Sequence, residues 1–557
     1  MTLPAFIRPL SRRLTTQDIS YLQAKGALSV PPPECRESLI WCFFEYVYPF
    51  MPVVDLDEIV HAMQDPYAPN GGISLLLLQV ILFAGTAFVP LHHIHAMGIA
   101  TRQECRELFF RRVLLLYNLD VETDRLVLAQ ALLLMTLWYE SPKTLKGTSY
   151  WIEVAISQCF AAALHYDPSA SRRPLSPQLS KLRRRIWWTC FMRDRVVSLG
   201  MQRHSRIDRN DFTVSMLSYS DFEPPIRPLW RTEVYAKFCS YAHDSVKIQQ
   251  LSQLCIMKAK LCCCLPQCMR TPHGVFSGPA AGLFTSGLYS GLPGSQRKAD
   301  FIECNEELLR WRDCLPERKS LMPHLPNDAP ASLDSTVVLN QMLLEMVYLE
   351  AVTTLHSARL IEMDRLGAGA SYVDWETSNL YREDAASRIS AIAMEIHASS
   401  LDTMLPTMAI GVLVSAASVH LQVLKINKRA DRQKARDGFR ACMDVIDSLK
   451  DMYVIATVAK DAMEWEFLKQ PASRDLPGPD TMMESISTSH GCPPLEAAGV
   501  ATASAALDDP GTVHGSLSQF EIEVESNSDI LFDDPLRESW QDLGAFENTL
   551  MFCDMNT

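Results

Sequence analysis

Arg125 to Glu140 reads RLVLAQALLLMTLWYE, and Thr148 to Tyr166 reads TSYWIEVAISQCFAAALHY. The first stretch is rich in Leu, Ala and Met, holds neither Gly nor Pro, and predicts a helix. In the second, Trp151, Ala155, Ile156, Cys159 and Ala163 fall on one stripe at three- and four-residue steps, the period of a helix with one buried face. Ser141-Pro142-Lys143 lies between them and is long enough for a tight helix–helix turn. Two antiparallel helices are the expected product.

The same periodicity recurs outward from this pair, over Leu182–Leu199, Ser335–Ile361, Ala385–Ser399, Thr407–Lys425 and Phe439–Lys469. Alternating strand-like runs are nearly absent. The fold class expected is all-α, an irregular multi-helix bundle in which these faces bury one another. Ile73–Val89 is seventeen residues without a charge. A membrane span needs about 20. Gln79 and Thr86 lie inside the run and Pro90 follows at once, so a buried core helix is expected and no membrane partner. Thr271–Gly294 holds six glycines and predicts a surface insertion over 271–300. A second loop is expected over 316–333, with Pro323, Pro326 and Pro330.

The chain has 557 residues and a formal charge of −13, which is unevenly spread. Residues 471–557 carry sixteen acidic and two basic groups, a net −14, and the other 470 carry +1. A neutral helical body over 1–470 with loop insertions is expected, followed by an acidic tail over 471–557. The tail lacks apolar area to offset chain entropy, so disorder is expected there. Sixteen cysteines without regular spacing suit a reduced interior better than a secreted disulfide framework. The opening Met1-Thr2-Leu3-Pro4 has no cationic start leading into an apolar run, so no signal peptide is expected.

Enzyme signatures are mostly missing. There is no Gly-Lys dipeptide for a phosphate-binding loop, no G-x-S-x-G elbow and no H-E-x-x-H. His92, His93 and His95 follow Pro90 and read as a loop or helix-start cluster rather than a metal set. Cys255, Cys262, Cys263, Cys264 and Cys268 are close, but no C-x-x-C occurs anywhere, and a helical core position suits them better than zinc. Asp533-Asp534 is followed by Pro535 in the acidic tail, the wrong setting for a Mg²⁺-binding helix.

Two basic clusters carry competing readings. Arg183-Arg184-Arg185 beside Trp187-Trp188 would suit phosphate neutralisation with base stacking. The preferred reading is one helix, with Ile186, Cys190, Val197 and one tryptophan inward and the arginines paired to acids such as Asp194. The run Lys425, Lys428, Arg429, Arg432, Lys434 and Arg436 lies between two expected helices, either as a nuclear import signal or as a solvated connector.

In the tail, Leu531, Phe532, Asp533 and Asp534 are followed by Trp540, Leu543, Phe546 and Leu550 at roughly helical steps, interleaved with acids. Acids keep the aromatics in solution, and the aromatic face can fold into a groove on a coactivator. This is the composition of a transcriptional activation segment. The other reading is a helix docked on the body.

Leu3–Leu10, Tyr21–Leu28 and Tyr48–Asp55, followed by Leu75–Gln79 and Phe83–Gly85, resemble the fungal-specific transcription factor domain of zinc-cluster regulators, and within it the cutinase transcription factor 1 beta group. Trp151–His165 resembles that group's "A-x-x-LGLH" helix, with Ala163 where Gly is usual. Arg184, Arg185, Trp187 and Trp188, then Arg193 and Asp194, and Asp211-Phe212 through Asp221-Phe222 complete the likeness, in order over about 1–470.

The resemblance implies a helical regulatory domain in which His165 and the motif arginines and tryptophans determine the fold. It also implies a six-cysteine zinc cluster upstream. Met1 falls almost on the first motif, so that cluster is expected to be absent and the chain to hold no cofactor. Either the regulator works without its own DNA grip, or an upstream exon is missing. The function expected is nuclear regulation of RNA polymerase II genes, pathway- or cluster-specific and extending by analogy to secondary metabolism. Coactivators would meet the tail. DNA would be reached through a dimer partner or the missing module, and a small-molecule effector would act on the body. The alternative is a small-molecule-sensing interaction protein without DNA binding of its own. An all-α metal-dependent enzyme ranks third, because no carboxylate cluster on facing helices is found outside the tail.

Overall fold

Short polar residues start the helices of this chain. In the computed structural model, Thr15 and Asp18 form a reciprocal capping box at the head of Thr16–Ala24, and Thr101 with Glu104 does the same for Arg102–Asn118. Ser74, Asp124, Ser176 and Asp244 accept from the first-turn amides of Leu75–Gly85, Arg125–Met135, Pro177–Gly200 and Ser245–Cys264. The structure describes residues 3–468 except 65–71, 139–145, 171–173, 202, 224–231, 266–293, 315–333, 367–370 and 427–428. Among them, helices pack on helices, and the only strand-like pairing is one isolated bridge between Ile7 and Ile73. One compact unit runs from Met1 to Gly478.

Leu75–Gly85 is buried at every residue, as its charge-free sequence requires. Pro33–Cys42 crosses it so closely that a Cβ on Gly85 would stand 2.1 Å from the Leu39 carbonyl oxygen. Arg125–Met135 packs on Thr148–Ala161 as the expected pair, although the turn expected at 141–143 lies outside the described residues. Among the described residues one helix, Met408–Lys425, is long and apolar enough to cross a membrane, and 72% of it is buried inside the bundle.

Several boundaries differ from expectation; among them, the helix expected from Ala385 already begins at Tyr372. The helix from Arg125 ends at Met135, not Glu140, because Arg193 reaches back to the Thr136 carbonyl at 2.7 Å and takes up an acceptor that a further turn would need. The helix from Thr148 ends at Ala161, not Tyr166. There Ala163 adopts φ +52°, and the amides of Ala163 and Leu164 bond the carbonyls of Phe160 and Cys159. That is a Schellman ending, which explains why glycine is usual at this position. As a result Ala163 is exposed, and Leu164 enters the core in its place. The stretch read as one helix over Phe439–Lys469 is two, Arg429–Ser448 and Val454–Leu468. The Tyr453 hydroxyl donates to Leu405 at 3.0 Å and fixes the bend. Finally, Gly294–Asp313 is helical, so the last seven residues of the insertion expected over 271–300 belong to a helix; 271–293, 316–333 and the tail lie outside the described residues.

Candidate functional site

The central polar structure is built on Pro177–Gly200, whose proline sits at the helix start where its missing N–H costs nothing. Arg184 donates to the buried Asp221 carboxylate at 2.5 Å. Arg185 donates to the Asp221 carbonyl at 2.9 Å and the Val54 carbonyl at 3.4 Å. Arg193 grips Thr136 by hydroxyl and carbonyl, at 2.8 and 2.7 Å. Asp194 accepts the backbone amides of Arg206 and Ile207 at 3.0–3.1 Å and lies 3.4 Å from Arg195. Arg195 in turn stacks on the Phe191 ring at 4.5 Å.

Burial pushes the Asp194 carboxyl above its ordinary range, against those hydrogen bonds, and pulls the Arg195 guanidinium down. Burial likewise lowers His165, which is half-buried beside Phe160 and Trp187. Trp187 and Trp188 are both buried and flank Phe212, whereas one outward tryptophan was expected; the Trp188 indole donates to the Ser215 carbonyl at 2.8 Å. Asp194 also pairs with Arg195 rather than with the triple arginine. With both rings enclosed and the guanidiniums of Arg184 and Arg185 already holding protein acceptors, this cluster stabilises the fold and offers no stacking platform for a base.

A second feature went unread in the sequence. Phe43–Val47 is a single π-helical turn, a widening frequent at functional sites. It turns Glu45 inward. The Glu45 carboxylate meets the Lys247 ammonium at 2.7 Å, the Thr336 hydroxyl at 2.8 Å and the Ser240 hydroxyl at 2.5 Å. Lys247 also pairs with Asp334 at 2.8 Å and lies 4.7 Å over the Tyr241 ring. Asp334 bonds the Thr336 amide at the head of the 32-residue helix Ser335–Leu366. Burial alone would lower the Lys247 pKa, but the bonds to Asp334 and Glu45 outweigh it and the pKa is raised. A glutamate inside the apolar run Phe43–Val47 was the available signal.

Beside this network lie two adjoining cavities of about 60 and 80 Å³ that share Tyr48, Leu56 and Phe222 as a wall. The first is apolar, lined by Phe44, Pro52, Tyr241, Ile248 and Leu251 among others. The second is polar, with Asp55, Asp57, Lys181, Arg185 and Glu223. Burial raises the Tyr48 phenol above its ordinary range.

Most of the basic run is helical. Lys425 is in the last turn of Met408–Ile426, and Arg429, Arg432, Lys434 and Arg436 belong to Arg429–Ser448; Lys428 lies outside the described residues. The activation segment, Leu531, Phe532, Asp533, Asp534, Trp540, Leu543, Phe546 and Leu550, also lies outside them. His92, His93 and His95 sit on the short helix Leu91–Ala96. Cys255 and Cys262 are buried, Cys263 and Cys264 half-buried, and Cys268 is outside the described residues. Burial pushes the Cys262 thiol up to about 12. Among the described residues no group of three His, Cys, Asp or Glu stands ready for a metal ion.

Residues 41–312 match the model of the fungal specific transcription factor domain. The chain is 35% identical over 521 residues to cutinase transcription factor 1 beta of Fusarium vanettenii, covering 91% of this chain and 58% of that protein. It is 31% identical over 466 residues to a transcription factor of Fusarium pseudograminearum, covering 82% and 51%. Transcription factor cpaR of Aspergillus oryzae is 28% identical over 431 residues, covering 76% and 69%. The chain thus spans little more than half of the first two relatives. No solved structure matches.

Proposed function

We propose, from the match of residues 41–312 to the fungal specific transcription factor domain, that the chain is a nuclear regulator of transcription by RNA polymerase II, dedicated to one pathway or gene cluster. The observation that carries this reading is the 35% identity over 91% of the chain to a protein named as a cutinase transcription factor. The chain reaches DNA through a dimer partner or through a zinc-cluster module of the family's kind. Its helical body receives a small-molecule effector, and its acidic aromatic segment around Trp540 and Phe546 recruits coactivators.

The full chain fused to a neutral DNA-binding module tests the activation step. Reporter output rises with the fusion and falls when Trp540→Ala and Phe546→Ala are introduced together. Output unchanged by the pair removes the activation claim. Fluorescent tagging tests the address: the full chain accumulates in the nucleus, and an even cytoplasmic spread refutes it.

A second reading, an effector-sensing protein without DNA contact, is favoured by one observation, the paired cavities beside Tyr48. The two readings separate on chromatin recovery of the full chain at discrete promoters, which only the first expects.

A further inference from the structure

The walls of the paired cavities are fixed before any ligand arrives. Tyr241 donates to the Phe44 carbonyl at 2.5 Å while its ring lies under the Lys247 ammonium, so two aromatic lining residues are tied to each other and to the buried polar network. Preformed, mostly apolar recesses with few polar groups are the usual ligand sites. The apolar chamber alone, about 60 Å³, is well under the roughly 150 Å³ of an enclosed apolar cavity that takes up benzene, so a ring seated there reaches past Tyr48, Leu56 and Phe222 into the second chamber of about 80 Å³. That size suits a single ring and excludes long chains.

The polar groups narrow the class further. In the second chamber Arg185 is occupied by two carbonyls, Lys181 donates to the Glu223 carbonyl at 3.4 Å, and Asp57 accepts the Tyr235 hydroxyl at 2.7 Å. Among the described residues the Tyr48 hydroxyl has no hydrogen-bond partner, and it stands on the wall common to both chambers. One Asp55 oxygen holds the Asp57 amide, and the other has only a 3.9 Å pairing to Arg185. A carboxylate ligand would face Asp55, and an ammonium would face Arg185. A neutral hydroxyl can accept from Tyr48 and donate to Asp55, and it meets neither penalty.

We propose that these chambers bind a small aromatic molecule carrying one neutral hydroxyl, with its ring between Phe44, Tyr241 and Phe222 and its hydroxyl at the Tyr48 wall. This assignment rests on the effector reading given above, but it is tested by direct binding and needs neither DNA nor reporter output. A failed reporter assay therefore leaves it standing, and a failed titration leaves the regulator reading standing.

The test is calorimetric titration of the full chain with phenol and with toluene. Both saturate a single site. Tyr48→Phe keeps the wall and removes the hydroxyl, weakening phenol about fivefold and leaving toluene unchanged. Ile248→Trp, at a half-buried lining position, closes the apolar chamber and abolishes both, with urea unfolding used to show that each variant is folded. No saturable heat with the unmodified chain overturns the proposal. So does equal binding of phenol to Tyr48→Phe, or binding that survives in folded Ile248→Trp.

Discussion

Lys247 and Glu45, 202 positions apart in sequence, meet at 2.7 Å with both side chains about 6% exposed. Such a pair holds charges that water would otherwise solvate, so removing one partner strands the other. Lys247→Met should cost about 3–5 kcal/mol in urea unfolding, and the double variant Lys247→Met with Glu45→Gln should recover much of the loss. Lys247 is raised in the folded state, so its contribution is fully present below its unfolded pKa of about 10.4 and is lost as pH climbs through the folded value.

Ala163 sits at φ +52°, a region that costs an L-residue with a Cβ but not glycine. Ala163→Gly should therefore stabilise the chain by about 1 kcal/mol despite the added freedom of the unfolded state. Thermal unfolding checks the sign: a lower midpoint would mean that the left-handed turn is not what ends the Thr148 helix.

Gly85→Ala should do the reverse. Its Cβ would press on the Leu39 carbonyl oxygen at 2.1 Å, and that atom is backbone, so two helices must separate. A loss of about 3 kcal/mol or failure to fold is expected, whereas Gly98→Ala, which meets nothing within 4 Å, costs only the strain of its φ of +76°.

Three buried groups set a pH optimum. Burial lowers His356 and His420 to about 4, below the unfolded value near 6.5, so the unfolded chain binds more protons between these limits and stability falls as pH drops through them. Burial raises Glu350 to about 8, against hydrogen bonds that include one from Thr354. The folded state then binds the extra proton from about pH 4.3 upward, and stability falls as pH rises toward 8. Between about pH 4.3 and 6.5 the two histidines, joined by His165 that burial also lowers, outweigh the one glutamate, and between about 6.5 and 8 the glutamate dominates. Unfolding free energy should peak near pH 6.5, and Glu350→Gln should remove the alkaline decline of roughly 1.4 kcal/mol per pH unit.

Much of this was readable in advance, for a physical reason. Leu75–Gly85 has no charge to keep wet, and Trp151, Ala155, Ile156 and Cys159 repeat at the helical step, so both had to be buried in helices. What escaped depends on partners distant in sequence. Nothing in Ser448–Tyr453 announces a break; the Tyr453 hydroxyl finds Leu405, and its ring packs against the Arg106 guanidinium at 5.1 Å. Trp187 and Trp188 cannot both be inward on one isolated helix face, yet Phe212 comes from another segment and encloses them. The cleft escaped for the same reason, since Tyr48, Lys181, Phe222 and Tyr241 come from four separate stretches of chain.

The bond from Thr336 to Glu45 spans 291 residues. At the usual 5–20 residues per second of translation, Glu45 is incorporated roughly 15 to 60 s before Thr336. Ser240 and Lys247, the other two partners of the carboxylate, are made 195 and 202 residues after it, so the network is completed in steps as the chain lengthens. A chain that stops short of Thr336 lacks one of the three side chains that hold the Glu45 carboxylate, and with it the helix Ser335–Leu366 that the Asp334 cap begins.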